Sequence, residues 1–429
     1  MASLKRNVGW TLAGNVFYSG CQWAILMVLA KLSSASTVGL FSLALAVTSP
    51  VLSLSNCQLR TIQAADARGR FSFPIYFGFR LICTSLALIA IAVIAVYTRS
   101  DELGMAVIFA VGLFKAAESI SDIVYGFLQK HENMRIISQS MMIKGILAIC
   151  GIAAGQLIFD SLLAGALLIF AGWTLLLLIY DLPQARKLVQ REGLSAREGL
   201  MPHFSTGQFR QVFTLAIPMA LVLMANTLAV NTPRYALAHW AGDAELGYFA
   251  SIAYLIVALN LVTTAINNTI LPRFAVYHMT DTKKFIRLMT VGLAFIWGIG
   301  LLAVLVTFFA GPLILRLLYT PAYSAYAPLL VLMMIVGCML NSSALFGTAV
   351  TAAQSYWPQT LNALLFLAVA AGASLVLVPK SGAYGAAEAL LLASAVQMLA
   401  FAMTTIRMCR RMPANGQSSK EPISEPAAQ

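Results

Sequence analysis

Long apolar runs of about twenty residues, separated by short polar connections, recur from one end of the chain to the other. As a helix rising 1.5 Å per residue, such a run covers about 30 Å, the thickness of a bilayer's hydrocarbon core. Twelve runs are marked out, at 9–31, 38–59, 80–98, 104–128, 138–159, 161–182, 212–232, 246–270, 288–310, 324–349, 357–378 and 383–406. They are too long and too uniformly apolar for the alternating segments, about ten residues each, of a membrane barrel. Inside hydrocarbon every backbone N–H and C=O needs a partner from the protein, which a helix supplies within itself. The pattern therefore predicts an all-α, polytopic membrane protein with about 12 transmembrane helices.

Composition agrees: 60% of the 429 residues are hydrophobic, only 10% are charged, and the mean hydropathy is +0.82. A water-facing surface carries nearer 25% charged residues. The formal net charge of +12 raises nucleic acid as a partner. That reading fails because the basic residues sit in short connections between apolar runs, where they anchor topology. With both termini placed in the cytoplasm, 22 of the 28 Lys and Arg fall on that side, Arg80 and Lys144 counted among them. Five (Lys31, Arg99, Arg234, Arg316 and Lys380) fall outside, and Lys115 lies within a span. A miscounted span would scramble this asymmetry, so it supports twelve spans in the cytoplasmic (inner) membrane, both termini cytoplasmic. The six cysteines (Cys21, Cys57, Cys83, Cys150, Cys338 and Cys409) show neither metal spacing nor a secreted framework and read as reduced packing residues. The first run, from about Gly9, is full length and reads as a retained span, not a cleaved signal.

The longest connection, about 184–211, is polar and basic and divides the chain into halves at 1–205 and 206–412. Ser195 followed by Glu198 could cap a short interfacial helix there. The tail 413–429 is polar and Pro-containing, the composition of a disordered segment. The halves share a pattern: LAKLSSASTVGLF at 29–41 and LAHWAGDAELGYF at 237–249 match at Leu, Ala, Gly and Phe with one offset of 208 residues. Both segments join the first two spans of their half on the outer side. The repeat is therefore parallel, about an axis along the membrane normal, an arrangement found in secondary transporters.

Helical angles place polar residues in stripes. Thr11, Asn15, Tyr18, Ser19 and Gln22 share an arc of about 80° in span 1. Ser42, Ser49, Ser53, Asn56 and Arg60 share about 60° in span 2, and Asn260, Thr263, Thr264 and Asn267 about 100° in span 8. Singly, such residues serve as hydrogen-bonding glue between helices. Together, on leading spans of two repeated halves, they point to a shared hydrated cavity. Pro50 and Pro218 would permit bending. Span 4 carries Lys115, Glu118 and Asp122, with Tyr125 and Gln129 on the same face. Charges at that depth need partners or water. Lys115 and Glu118 can pair at i, i+3, which leaves Asp122 needing another. These residues read as a substrate or ion-coupling site, as a self-neutralised packing triad, or, for Asp122, as a residue near the cytoplasmic interface. Arg60 reads as a cavity residue or an interface anchor. Arg234, on the outer side against the charge bias, follows Pro233 and reads as a functional cation. No metal-ligand grouping and no cofactor motif is present, and the four histidines (His131, His203, His239 and His278) are dispersed.

The stretches GNVFYSGCQWAILMVLAKL at 14–32, NCQLRTIQAADAR at 56–68, ESISDIVYGFLQ at 118–129, NTPRYALAHWAGDAELGYFASIAYL at 231–255, LPRFA at 271–275 and GAYGAAEAL at 382–390 resemble the oligosaccharide flippases of bacterial polysaccharide export. Lipid II flippases and multidrug and toxin extrusion transporters belong to the same superfamily. The resemblance covers nearly the whole chain. It implies two six-helix bundles around a central cavity lined by spans 1, 2, 7 and 8, and a polyprenyl-pyrophosphate-linked glycan as substrate. It implies membrane lipids, a polysaccharide polymerase and other export-pathway proteins as surroundings, and lipopolysaccharide, O-antigen or related polysaccharide biosynthesis as the setting. Arg60 and Arg234 match family positions, with Lys115 a further candidate for the pyrophosphate. Asn15, Tyr18, Gln22, Asn56, Asn260 and Asn267 would meet the sugar, and Glu118 and Asp122 would bind a coupling ion. The polar face of span 1 lacks the basic residue found there in related lipid II flippases, so residue roles do not transfer wholesale.

The expected mechanism is alternating access without ATP hydrolysis, since no GxxxxGK[ST] loop is present. A cation antiporter of the same fold should line its cavity with carboxylates and aromatics instead of Lys and Arg. A membrane-embedded polymerase or glycosyltransferase should display a large outer loop with acid, base or metal-binding residues. The outer loops here are short.

Overall fold

The computed structural model describes residues 2–66, 70–99, 101–191, 199–353 and 356–411, and among them the chain is helical with no strand. The expected interfacial cap at Ser195 and Glu198, the tail 413–429, and Arg68, Arg197 and Lys420 of the charge count lie outside the described residues.

In the first half, α1 (Ala2–Leu32), α2 (Ala35–Asn56), a short α3 (Leu59–Ala65), α4 (Phe73–Thr98), α5 (Glu102–Lys130) and α6 (Met134–Phe159) are followed by α7 (Leu162–Leu176). A π-helical turn over Leu177–Asp181 carries α7 into α8 (Leu182–Arg191). In the second half come α9 (Thr206–Trp240), α10 (Gly242–Tyr254), α11 (Val257–Thr280), α12 (Thr282–Leu318), a 3₁₀ turn at Pro321–Tyr326, α13 (Ala327–Ala352) and α14 (Tyr356–Arg411). Short polar side chains set several starts. Ser34, Asp101, Ser161 and Asp281 each accept a bond from the backbone N–H three residues on, filling a donor the first turn leaves open.

Among the described residues eleven helices are long and apolar enough to cross a membrane. The last of them, α14, runs for 56 residues, about 84 Å if straight and so well over twice a bilayer core. It is not straight. Gly382 turns with φ 54 and ψ −127, and a Cβ on Gly385 would sit 2.6 Å from the carbonyl carbon of Leu377. The chain doubles back there, so α14 is long enough for two passes, which makes twelve among the described residues. Faces such as Leu86, Ile89, Val93 and Val96 of α4, and Leu305, Val306, Phe308 and Phe309 of α12, remain exposed, as lipid-facing surface does.

Two departures from the sequence expectation matter. Span 8 is two helices, α10 and α11, joined at Leu255 and Ile256, where i→i−3 bonds (Leu255 to Ile252 and Ile256 to Ala253) tighten the ladder. Span 2 ends at Asn56. Cys57 and Gln58 then take left-handed conformations, φ 49 and 50, before α3 begins. Arg60 therefore does not continue the polar stripe of α2. Consecutive left-handed non-glycine residues are costly, about 1–3 kcal/mol each, and hold only where the surroundings fix them.

Within the first half, α1 packs on α6, α6 on α7, and α5 on α2, α4 and α7. Within the second, α14 packs on α9 and α13, and α12 on α13. The halves meet where α2 lies against α9 and α10. Apolar area gains little from leaving lipid, so small residues that admit close backbone approach decide such a seam. A Cβ on Gly39 would stand 2.7 Å from the carbonyl carbon of Asp243, and one on Gly247 2.9 Å from that of Ala35. Both pairs obey the repeat: 247 − 39 = 208 and 243 − 35 = 208. The sequence repeat is thus a pseudo-two-fold contact, with Phe41 and Phe249 buried beside it. A second tie follows from Pro50, which has no N–H and leaves the Ala46 carbonyl without its helical donor. The Tyr235 hydroxyl of α9 donates to that carbonyl.

Candidate functional site

One face of α5 presents Lys115, Glu118, Ser119, Asp122, Tyr125 and Gln129 to α1, α2, α3 and α4, and these side chains form a connected network. The Lys115 ammonium donates to Glu118 at 2.8 Å. Tyr18 of α1 donates to the other Glu118 oxygen. Lys115 also lies 5.8 Å from the ring centroid of Trp173. One turn on, Asp122 meets two guanidinia: Arg60 at 3.2 Å and Arg80 at 3.5 Å. The sequence left Asp122 short of a partner, and the structure gives it two. Arg60 additionally donates to Gln129 at 3.0 Å and lies over the Tyr125 ring at 5.6 Å. Arg80 is fully buried and donates to Asn56 and, at 3.2 Å, to Ser119. Asn56 also accepts from Ser119.

A second layer lies behind this one. Lys144 of α6 and Asp181 of the π-helical turn are 1% and 0% exposed, with ammonium and carboxylate 3.7 Å apart. Ser140 donates to Asp181 at 2.6 Å and shares a 2.7 Å bond with the Tyr125 hydroxyl, joining the pair to the α5 face. Trp173 donates to the Lys144 carbonyl, and the Lys144 ammonium lies 5.0 Å from the Tyr125 ring centroid. An extra residue in a π-turn re-aims the side chains after it, which here places Asp181 inward.

Arg80 and Lys144 thus correct the sequence reading that counted them as cytoplasmic anchors. Both are buried inside the helix bundle, where Arg80 pairs with the partly exposed Asp122 and Lys144 with the buried Asp181. Asp181 was not singled out at all. The Lys144 signal was nonetheless available, because it lies inside the run at 138–159 just as Lys115 lies inside 104–128.

Four cations (Arg60, Arg80, Lys115 and Lys144) face three carboxylates (Glu118, Asp122 and Asp181), so the network carries one excess positive charge. Arg234 of α9 adds another. It donates to Asn231 at 2.8 Å, its Nε has no hydrogen-bond acceptor, and among the described residues no carboxylate stands within 4.0 Å of it.

The remaining expected residues divide. Asn15 is exposed on α1. Gln22 and Asn267 are partly buried, and each has a buried amide atom without a partner. Asn260 is exposed and accepts from Asn341 at 2.9 Å. The structure brings Tyr18, Asn56, Arg60, Lys115, Glu118 and Asp122 into one network, and leaves Asn15, Gln22, Asn260 and Asn267 outside it. Across the seam, Ser53 and Thr227 lie 3.3 Å apart. All six cysteines are free, and among the described residues no group of His, Cys, Asp and Glu could hold a metal ion.

Residues 4–278, well over half of the chain, match the family model described as "Polysaccharide biosynthesis protein". The chain belongs to that family. The capsular polysaccharide biosynthesis protein CapF of Staphylococcus aureus is 24% identical over 401 residues, covering 93% of this chain and 98% of that one. Among solved structures, the lipid II flippase MurJ in its inward closed conformation is similar with a TM-score of 0.69 at 12% identity, over 94% of this chain and 89% of that one. A multidrug resistance MATE family transporter of the MOP superfamily, inward-facing, gives 0.62 at 12% identity over 95% and 96%. At such identities the likeness shows the fold, and the fold is that of flippases and multidrug transporters. This member of the polysaccharide biosynthesis family is a multi-pass membrane protein with a transporter's architecture and a net-positive interior network.

Proposed function

We propose that the chain is a flippase that carries a polyprenyl-pyrophosphate-linked oligosaccharide from the cytoplasmic to the outer leaflet of the inner membrane, with both termini cytoplasmic. The single observation that carries this reading is Arg234, a half-buried guanidinium whose Nε is shut off from solvent without an acceptor and which has no carboxylate within 4.0 Å among the described residues. A buried cation without a counter-ion is costly, and a bound anion removes that cost. A guanidinium matches phosphate by paired, charge-assisted bonds. The excess charge of the network around Arg60 and Lys115 adds attraction for a pyrophosphate from the facing half. Polar groups of α1, α2 and α11, including Asn15, Tyr18, Gln22, Asn56, Asn260 and Asn267, would contact the sugars, while the polyprenyl chain stays in lipid.

The halves 1–205 and 206–412 would rock about the α2, α9 and α10 seam to expose the site to each side in turn, with no chemical step and no cofactor. The substrate class is supported by the family, whose members act in polysaccharide biosynthesis. A cation antiporter of this fold would need carboxylates free to take up its ion. Here Glu118, Asp122 and Asp181 each have a cation of the protein's own within 4.0 Å, so an ion coupled at Glu118 or Asp122 would have to displace it.

In a strain lacking the gene, lipid-linked oligosaccharide should accumulate on the cytoplasmic side. Wild-type chain should clear it, and Arg234→Ala, expressed at the wild-type level, should clear at most about 1% as fast, the equivalent of losing roughly 3 kcal/mol of charge-assisted bonding. Full clearance by Arg234→Ala would remove this residue from the site. Drug resistance on overexpression without any polysaccharide defect would favour the antiporter.

A further inference from the structure

The end of the molecule that carries Ala2 and Arg411 holds a second basic site, away from the network above. A cleft of about 400 Å³ lies between α1, α6 and the α7–α8 junction. Arg6 and Trp10 line it from α1, Arg135 and Gln139 from α6, Tyr180 from the π-helical turn, and Glu132 from the turn before α6. Arg135 stacks on the Trp10 ring at 5.5 Å, and Tyr180 donates to Gln139 at 3.1 Å, so the walls are held in place. Among the described residues neither Arg6 nor Arg135 has a carboxylate within 4.0 Å, although Glu132 shares the cleft. Two guanidinia against one carboxylate leave one positive charge. Beside the cleft, α8 packs Ala185 and Val189 inward and carries Arg186, Lys187 and Arg191, the make-up of a helix lying on a membrane surface.

The stacked arginine matters. A guanidinium spread on an indole keeps its N–H edge free for an anion, and a tryptophan at this level sits where a bilayer's polar boundary falls. Basic pockets between helices at the membrane boundary suit phosphate headgroups. The cleft is small, polar at its walls and open, which fits one headgroup and not an oligosaccharide. Its elements belong to the first half alone, so an occupant would brace α1 against α6 and α8 without touching the seam between halves.

We infer that this cleft binds one phosphate-bearing anion at the membrane surface, held between the guanidinia of Arg6 and Arg135. The source is a phosphodiester lipid headgroup or free inorganic phosphate, and the experiment separates them. The full-length chain is placed in nanodiscs of phosphatidylcholine with or without phosphatidylglycerol, and its melting temperature is measured. Phosphatidylglycerol should raise it by about 2 °C in the wild type and in Arg316→Gln, an exposed arginine at the opposite end. It should not do so in the R6Q/R135Q double variant. Native mass spectrometry should show one phosphatidylglycerol fewer retained by that variant. In a parallel arm, detergent-solubilised protein is heated with inorganic phosphate or chloride at equal ionic strength. A phosphate-dependent rise that the double variant loses would support the site with soluble phosphate as its occupant. No rise in either arm, or an equal rise in wild type and R6Q/R135Q, would overturn the inference.

Discussion

Charge placement at single residues decides what the interior of this chain can do. Lys144 and Asp181 are both buried and 3.7 Å apart, with Ser140 donating to the carboxylate and the Tyr125 and Trp173 rings beside the ammonium. Removing one member of such a pair strands the other charge, at about 3–5 kcal/mol, whereas replacing both with apolar groups of like volume is often neutral. Lys144→Met should therefore lower the melting temperature in detergent and the yield of folded protein, and K144M/D181L should recover most of the loss. A double variant as unstable as the single one would mean that the pair does more than neutralise itself. The same residues mark where sequence reading reached its limit. A lysine several residues into an apolar run and one at its edge look alike in a hydropathy profile, because the profile carries no depth. Arg80 opens the run at 80–98 and reads as an anchor, yet α4 begins seven residues earlier and carries it into the core. Arg60 was placed on a stripe that the left-handed turn at Cys57 and Gln58 interrupts, and neither residue announces such a turn as glycine would.

Helices and their contacts were far more legible. Twelve passes, the long basic connection and the 208-residue offset all come from spacing alone, since a bilayer imposes a length and a polarity on whatever crosses it. What spacing could not say is why the matched glycines recur. Gly39 and Gly247 each let the opposite backbone approach so closely that no side chain fits between α2 and α10. The two sites are equivalent under the repeat, so Gly39→Val and Gly247→Val should both prevent the seam from closing and reduce polysaccharide export to a similar extent. Gly9 or Gly298, each with open space around it, should tolerate the same change. Cysteine labelling of an introduced thiol on α2 would report the loosened seam directly. Normal export by both glycine variants would show that this contact is not used in the cycle.

At the scale of the molecule, a lipid-facing shell surrounds two repeated halves that join along one small-residue seam. At the Gly39 end that seam is reinforced by polar ties between the halves: Arg99 with Asp243, and Trp23 donating to Tyr319 at 3.2 Å. The first half carries the excess positive charge of the α5 network, and the second carries Arg234, with no carboxylate within 4.0 Å among the described residues. On the proposed function an anion would bind between the halves, and the family's place in polysaccharide biosynthesis supports a lipid-linked glycan as that cargo. The most direct test uses purified protein in liposomes loaded with a polyprenyl-pyrophosphate-linked oligosaccharide, following how fast inner-leaflet sugar becomes accessible to a lectin added outside. The account predicts protein-dependent exposure that R234A slows to the protein-free rate. Exposure no faster with wild-type protein than without it would contradict the account.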